Sequence, residues 1–423
     1  MEQSTIAIII FAATIFLYVT ELVPLGMTAV ASCLLMAIAG IIPFANAFAG
    51  FGSDIVMMVI GMIVVGEALF ETGLAQLMGI AIVRVVGNSE RLFLAVIILA
   101  TASLSAFVSN TATVAMFLPM IAAAAARSGG KIAKKNTYMA TGFAAVAGGA
   151  CTLVGSTPQL AAQGILSQTP GCRPLGFFEL AYGGIPLVVF ILFYYLTFGY
   201  YLQKRLFNFQ EIAGDEPVAG GGEEKRSPVK MAVSGLVMAG CVIGFVKQVW
   251  SVGTIAMAAA VVLVMTGCIT EKKVYQSIHW TSIAILGGAL GFSKGLDVSG
   301  AGKLIAETAI GLLGASASPR LVFAIYVLVA LMLANFMSTT AITAMLSPIA
   351  IYTAQGMGFD PIPAVIGIIL GTSMGFASPV GTMPITMTLA GGYRFTDYTK
   401  VGGLLSILLY FWIIIIVPLL MGF

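Results

Sequence analysis

Two short runs of hydroxyl and amide side chains interrupt stretches that are otherwise apolar. Residues 107–119 read Phe-Val-Ser-Asn-Thr-Ala-Thr-Val-Ala-Met-Phe-Leu-Pro, and 336–348 read Phe-Met-Ser-Thr-Thr-Ala-Ile-Thr-Ala-Met-Leu-Ser-Pro, with Ser109 and Ser338, like Pro119 and Pro348, 229 positions apart. A second pair of breaks, Val154-Gly155-Ser156 before Pro158 and Val380-Gly381-Thr382 before Pro384, recurs at a separation of 226. Pro and Gly break a helix and free its carbonyls and amides. The N–H groups that open a half-helix attract an anion such as a carboxylate. Ser, Thr and Asn oxygens with free carbonyls suit a small hard cation. Segments 92–126, 136–172, 321–359 and 361–393 contain no Asp, Glu, Lys, Arg or His. An intramembrane proton relay normally needs such residues, so direct proton coupling is disfavoured. Sodium would supply the positive charge that no Lys or Arg provides. Taken singly, a Ser-Asn-Thr run in a membrane helix makes an interhelical hydrogen bond and a Gly-Ser-Thr-Pro run makes a kink. Four such breaks, paired by duplication and free of charge, point to a site for an anion and sodium together.

The elements that must hold these breaks are membrane helices. The chain has 423 residues, 59% hydrophobic and 9% charged, where a soluble domain carries roughly 25% charged residues. Many windows long enough to cross a hydrocarbon core carry no charge, and the 49 glycines suit closely packed membrane helices. The class is an all-α polytopic membrane protein; the short alternating segments of a β-barrel are absent. Thr5 to Val19 lacks a basic n-region and reads as a first span, not a cleaved signal. Five scattered cysteines show no metal or redox spacing. The single histidine, His279, reads as a structural or interfacial residue, and Glu67, Glu71, Lys294 and Asp297 as pairing residues at helix ends.

The duplication divides the chain into a first repeat, 1–203, a solvated cytoplasmic linker, 204–228, and a second repeat, 229–423. Each repeat reads as five spans plus a hairpin. The first has spans 5–22, 25–43, 54–71, 136–168 and 182–203, an amphipathic interfacial arm at 73–87, and a hairpin at 92–126; the second hairpin is 319–356. The halves of the first hairpin are about 22–26 Å long as helix, marginal for a core of about 30 Å. A re-entrant hairpin lining a cavity is the reading, and two full spans with a buried turn is its alternative. Five spans is an odd number, so the second repeat is inverted. With both termini outside, Arg173, Lys247, Lys294, Lys303 and Arg320 lie outside and the other fifteen of the 20 basic residues inside, as the positive-inside rule expects.

Ser109-Asn110-Thr111-Ala112-Thr113, followed by Met116 and Pro119, resembles the signature of the divalent anion:sodium symporters. This family includes the bacterial dicarboxylate transporters and the animal sodium-coupled citrate, dicarboxylate and sulfate carriers. The resemblance covers nearly the whole chain. It implies a homodimer with scaffold and moving transport domains, working as an elevator. It also implies a first sodium site from Ser105, Ser109, Asn110 and Gly155, with Asn110, Thr111, Ser156 and Thr157 at one end of the anion. By the repeat, Thr339, Thr340 and Thr382 reach the other end, and Ser338, Thr339 and Gly381 stand where a second sodium site would be. The second copy departs from the family, with Thr339 in place of an amide and Ala334 in place of a hydroxyl. The family's Pro-Pro-Asn is here Thr157-Pro158-Gln159 and Met383-Pro384-Ile385. These departures predict an altered second sodium site or a smaller or less charged anion.

The expected function is sodium-coupled symport of small organic anions, C4-dicarboxylates first, in the cell inner membrane. The cargo is an anion with Na+, the surroundings are lipid, and no organic cofactor or nucleic acid is expected. The alternatives are transport of sulfate or another oxyanion, sodium-independent anion exchange, and an anion channel. An enzyme is disfavoured by the lack of any acid, base or metal cluster in the core.

Overall fold

The computed structural model describes residues 2–75, 77, 89–128, 131–207, 227–247, 249–313 and 318–423. Most of the arm 73–87 and of the linker 204–228 lies outside the described residues. Among the described residues every regular element is helical.

In chain order the helices are α1 (Gln3–Thr20), α2 (Leu25–Ile38), α3 (Phe44–Phe48), α4 (Asp54–Glu71), α5 (Glu90–Ser105), α6 (Asn110–Arg127), α7 (Lys134–Gly149), α8 (Thr157–Gln168), α9 (Ala181–Leu196) and α10 (Phe198–Leu206). After the linker come α11 (Pro228–Lys247), α12 (Val252–Met265), α13 (Glu271–Ser277), α14 (Trp280–Val298), α15 (Ala301–Leu313), α16 (Pro319–Ala334), α17 (Thr339–Gly356), α18 (Ile362–Thr372), α19 (Met383–Met387) and α20 (Gly403–Met421). Among the described residues four helical stretches are long and apolar enough to cross a membrane: Gln3–Thr20, Phe44–Glu71, Pro228–Lys247 and Phe395–Met421.

Several expected spans are shorter or bent in the structure, each for a local reason. The stretch 25–43 is helical only to Ile38. Gly40 takes φ +70°, and Ile41 N–H donates to Met36 O at 3.0 Å, which is the reversal a left-handed residue makes after a helix. Gly267, at φ +67°, ends α12 in the same way, with Cys268 N–H donating to Leu263 O at 2.9 Å. The stretch 182–203 bends by 55° between α9 and α10. There Thr197 leaves the helical region and Gly199 packs against the Tyr194 ring and backbone.

Helices of the two parts of the chain pack crosswise. α2 lies against α14, and α4 against α12. Small residues permit this. A Cβ added at Gly61 would lie 2.4 Å from the Ala256 carbonyl carbon, and one at Gly288 would lie 2.5 Å from that of Ala29. The main core is continuous from α4 through α5, α7, α9 and α18 to α20; the broken pairs α5/α6, α7/α8 and α18/α19 belong to it, while α16/α17 pack mostly in a separate cluster against α18.

The entrance of α5 is fixed by a polar cluster. Glu90 accepts bonds from Tyr200 Oη (2.7 Å), Asn136 Nδ2 (2.8 Å) and Ala133 N–H (3.1 Å), and pairs with Lys204 (3.2 Å). Burial pushes its carboxyl up, but these four partners outweigh burial and hold it below the usual carboxylate range.

Candidate functional site

Four helices begin at one place. α6 starts after the break 106–109, α8 after 150–156, α17 after 335–338 and α19 after 373–382. Pro158 and Pro384 each fall in the first turn of their helix, where the missing N–H costs nothing. The N-caps are Ser109, Ser156, Ser338 and Thr382, and none of their hydroxyls caps its helix. Elsewhere in the same chain such hydroxyls do cap. Ser53, Ser89, Ser251, Thr270 and Ser318 each accept a bond from a backbone N–H three residues on. Capping by Ser or Thr is the ordinary arrangement. Its absence at all four central helices leaves both the hydroxyls and the first N–H groups without that partner.

These starts surround a cavity of about 670 Å³. Eleven of the twelve residues expected to form the site line it: Ser109, Asn110, Thr111, Gly155, Ser156, Thr157, Ser338, Thr339, Thr340, Gly381 and Thr382. Ser105 lies behind the wall, fully buried, and bonds Asn110. Thr157 Oγ1 and Thr340 Oγ1 are 2.6 Å apart, so α8 and α17, from opposite parts of the chain, meet through their hydroxyls.

The first tip is tied to the first broken helix by an amide. The inward atom of the Asn110 amide lies 2.6 Å from Ser105 Oγ, 3.0 Å from Gly155 O and 3.2 Å from Ala145 O. With Nδ2 inward, the amide donates to all three. With Oδ1 inward, four oxygens converge, an arrangement that a hard cation satisfies. The amide lies on Gly149, where an added Cβ would come within 2.3 Å of Oδ1. Gln159 Nε2 donates to Gly149 O at 2.9 Å and so covers the end of α7, while Thr152 Oγ1 donates to Ala106 O. Among the described residues no group of three or more His, Cys, Asp or Glu could hold a metal, and the atoms that meet at Asn110 are all neutral.

The second tip is tied differently. Asn335 donates from Nδ2 to Leu331 O at 2.8 Å and accepts from Ala377 N–H at 3.0 Å. Gly381 packs directly on the Ala334 carbonyl.

Some wall residues were not expected. Glu21, Glu67 and His279 line the cavity, and no Lys or Arg does so among its lining residues. Glu67 pairs with Lys273 at 3.3 Å, and Lys273 also reaches Glu71 at 3.0 Å, the pairing role read for both carboxylates. Asn335 and Gln159, which stitch the breaks, were also missed as such; the signal available was an amide within a few residues of each break. Thr101 is one turn before Ser105 and fully buried, with its hydroxyl unpartnered.

Comparison with known proteins gives a consistent picture. The sequence pattern of the citrate transporter family matches residues 15–371. A transporter of Haemophilus influenzae is 28% identical over 431 residues, covering 96% of this chain and 89% of that protein. The sodium-dependent dicarboxylate transporter SdcS of Staphylococcus aureus is 26% identical over 410 residues, covering 89% of this chain and 78% of that protein. The crystal structure of the Alcanivorax borkumensis YdaH transporter aligns with a TM-score of 0.66 at 14% identity, covering 90% of this chain and 88% of that one; this likeness is one of fold.

Proposed function

The chain belongs to the citrate transporter family, a family of transporters and not of enzymes, and from that premise we propose that it is a sodium-coupled secondary transporter of small organic anions, C4-dicarboxylates first among them. One observation carries the reading: four helix N-termini face a single cavity with N-cap hydroxyls that do not cap their helices. Dipole ends and free N–H groups favour an anion there, and the absence of Lys and Arg from the described wall residues leaves charge balance to a co-bound cation. With Oδ1 of Asn110 turned inward, the oxygens of Asn110, Ser105, Ala145 and Gly155 would suit sodium. The name of the Staphylococcus aureus relative, a sodium-dependent dicarboxylate transporter, supports the same substrate class.

In this reading Asn110, Thr111, Ser156 and Thr157 bind one end of the anion and Thr339, Thr340 and Thr382 the other. Ser105, Ser109, Asn110 and Gly155 hold sodium. The chain is a homodimer of the inner membrane, with both termini outside, built from inverted repeats 1–203 and 229–423. Crosswise packing of α2 on α14 and α4 on α12 supports a two-fold relation between the repeats. The tips of 92–126 and 319–356 move with the cavity as an elevator. A smaller oxyanion such as sulfate is the second reading, favoured by the 2.6 Å contact of Thr157 and Thr340, which draws two half-sites together.

A thermal-shift screen of the purified protein against succinate, citrate and sulfate, with sodium or potassium, tests the proposal. A ligand at a hundred times its Kd adds about 2.7 kcal/mol of apparent stability. Stabilisation by succinate only with sodium is expected. Stabilisation by sulfate alone favours the second reading, and sodium-independent stabilisation by any of the three removes the coupling.

A further inference from the structure

The two parts of the cavity wall differ at three positions that repeat at 229 residues. In the first, Thr101, Ser105 and Asn110 form a polar ladder up to the tip. Thr101 and Ser105 are one helical turn apart on α5, hence on one face, and both are fully buried. The Thr101 hydroxyl has no hydrogen-bond partner, although a helical Thr ordinarily bonds back to a carbonyl one turn earlier. Below it the inward atom of the Asn110 amide meets Ser105 Oγ, Gly155 O and Ala145 O.

In the second part the same positions are Ala330, Ala334 and Thr339. Both alanines are fully buried. Where Gly149 makes room for the Asn110 amide, Gly375 makes room for Ala334 itself: a Cβ added at Gly375 would lie 2.8 Å from Ala334 Cβ. A Cβ added at Gly381 would lie 2.0 Å from Ala334 O. Gly375 and Gly381 therefore both pack on Ala334, where in the first part Gly149 packs on an amide. Asn335 does not replace that amide, because Leu331 O and Ala377 N–H engage both of its ends.

We propose that the protein couples a single cation per cycle, bound by the Ser105–Asn110–Ala145–Gly155 oxygens with Thr101 behind them, and that the second part of the wall is a packed joint with no cation site. The inference rests on the sodium-coupled reading above. Its consequence is electrical. One sodium leaves a dianion with net negative charge to carry across the membrane, and makes a monoanion electroneutral. The two tips then have different tasks: the first holds the cation and part of the anion, and the second holds anion alone.

Equilibrium binding of radioactive sodium to the full-length protein in nanodiscs tests this without any anion. One sodium per chain, with a hyperbolic isotherm, is expected. Ser105→Ala and Thr101→Val each remove an oxygen near a charged ligand, which weakens binding about 10- to 100-fold. Asn110→Asp keeps an inward oxygen and adds charge, so it retains binding where Asn110→Ala loses it. Melting curves of each variant confirm that the fold persists. Two sodium ions per chain, or a Hill coefficient approaching two, overturns the single-site inference and leaves sodium coupling standing. Unchanged affinity in folded Ser105→Ala and Thr101→Val overturns the location. No sodium binding overturns both the inference and the coupling on which it rests.

Discussion

Thr157→Val and Thr340→Val, singly and together, test whether the two parts of the chain share one site. Their hydroxyls are 2.6 Å apart, and Thr340 is buried. Valine keeps the shape of threonine and removes only the hydroxyl. In the empty protein one neutral hydrogen bond is lost, worth about 0.5–1.5 kcal/mol net, and in Thr157→Val the Thr340 hydroxyl, left unsatisfied in a buried position, costs about 1–3 kcal/mol more. The double variant removes both groups, so it should be less destabilised than the sum of the singles, with a coupling energy of about 0.5–1.5 kcal/mol in a double-mutant cycle. If both hydroxyls also contact a carboxylate, each single change loses about 1.5–3 kcal/mol of binding, or roughly 10- to 100-fold in the half-saturating succinate concentration. The assays are thermal unfolding in detergent without anion and succinate uptake into proteoliposomes across a concentration series. Additive stability effects would refute the hydroxyl contact. Unchanged half-saturation in both single variants would refute the claim that this contact faces the anion.

Other expectations follow from neighbouring geometry. Gly155→Ala would push a Cβ to 2.4 Å from Gly149 O, so the first broken helix must shift; sodium-dependent uptake should be lost, and wild-type uptake would show that the break tolerates displacement. Thr339→Asn places an amide where the first tip has Asn110; succinate uptake relative to lactate should rise, and an uptake profile matching wild type for succinate, lactate and sulfate would mean that Thr339 does not face the site. Glu90→Gln should lower the melting temperature at neutral pH. Because the folded carboxyl titrates below its unfolded value, its contribution is complete above about pH 4.3 and fades as pH falls through the folded value; the gap between variant and wild type should therefore close in acid, and a gap that persists there would refute the charge-based account.

Much of this arrangement was legible in the residues. The Gly-Ser-Thr-Pro and Gly-Thr-Met-Pro breaks lie where helices stop and restart, because Pro and Gly act on the backbone locally; the Ser-Asn-Thr and Ser-Thr-Thr runs also open helices, although Pro119 and Pro348 sit inside α6 and α17 without breaking them. Each of the eleven expected residues that share the cavity is an N-cap, an early helical position or a break residue. What was not legible depends on packing. The contact of Thr157 with Thr340 joins residues 183 positions apart, and no local pattern announces it. The bend at Thr197 arises where Gly199 meets Tyr194, not at a proline. Glu67 reads as a pairing residue at a helix end and His279 as a structural or interfacial residue; the cavity reaches them because α4 and the start of α14 form its wall. The carboxylate partner of Lys273 was similarly hidden, since α13 and α4 meet only in the fold.

The central claim is that sodium drives anion movement through this cavity. Proteoliposomes containing the purified protein, loaded with potassium and diluted into sodium with labelled succinate, measure it directly. The account predicts accumulation above the external concentration that collapses when sodium is equal on both sides, and that disappears in Asn110→Ala. Equilibration without accumulation, at the same rate with and without a sodium gradient, would contradict it and mark the protein as a passive path or an exchanger.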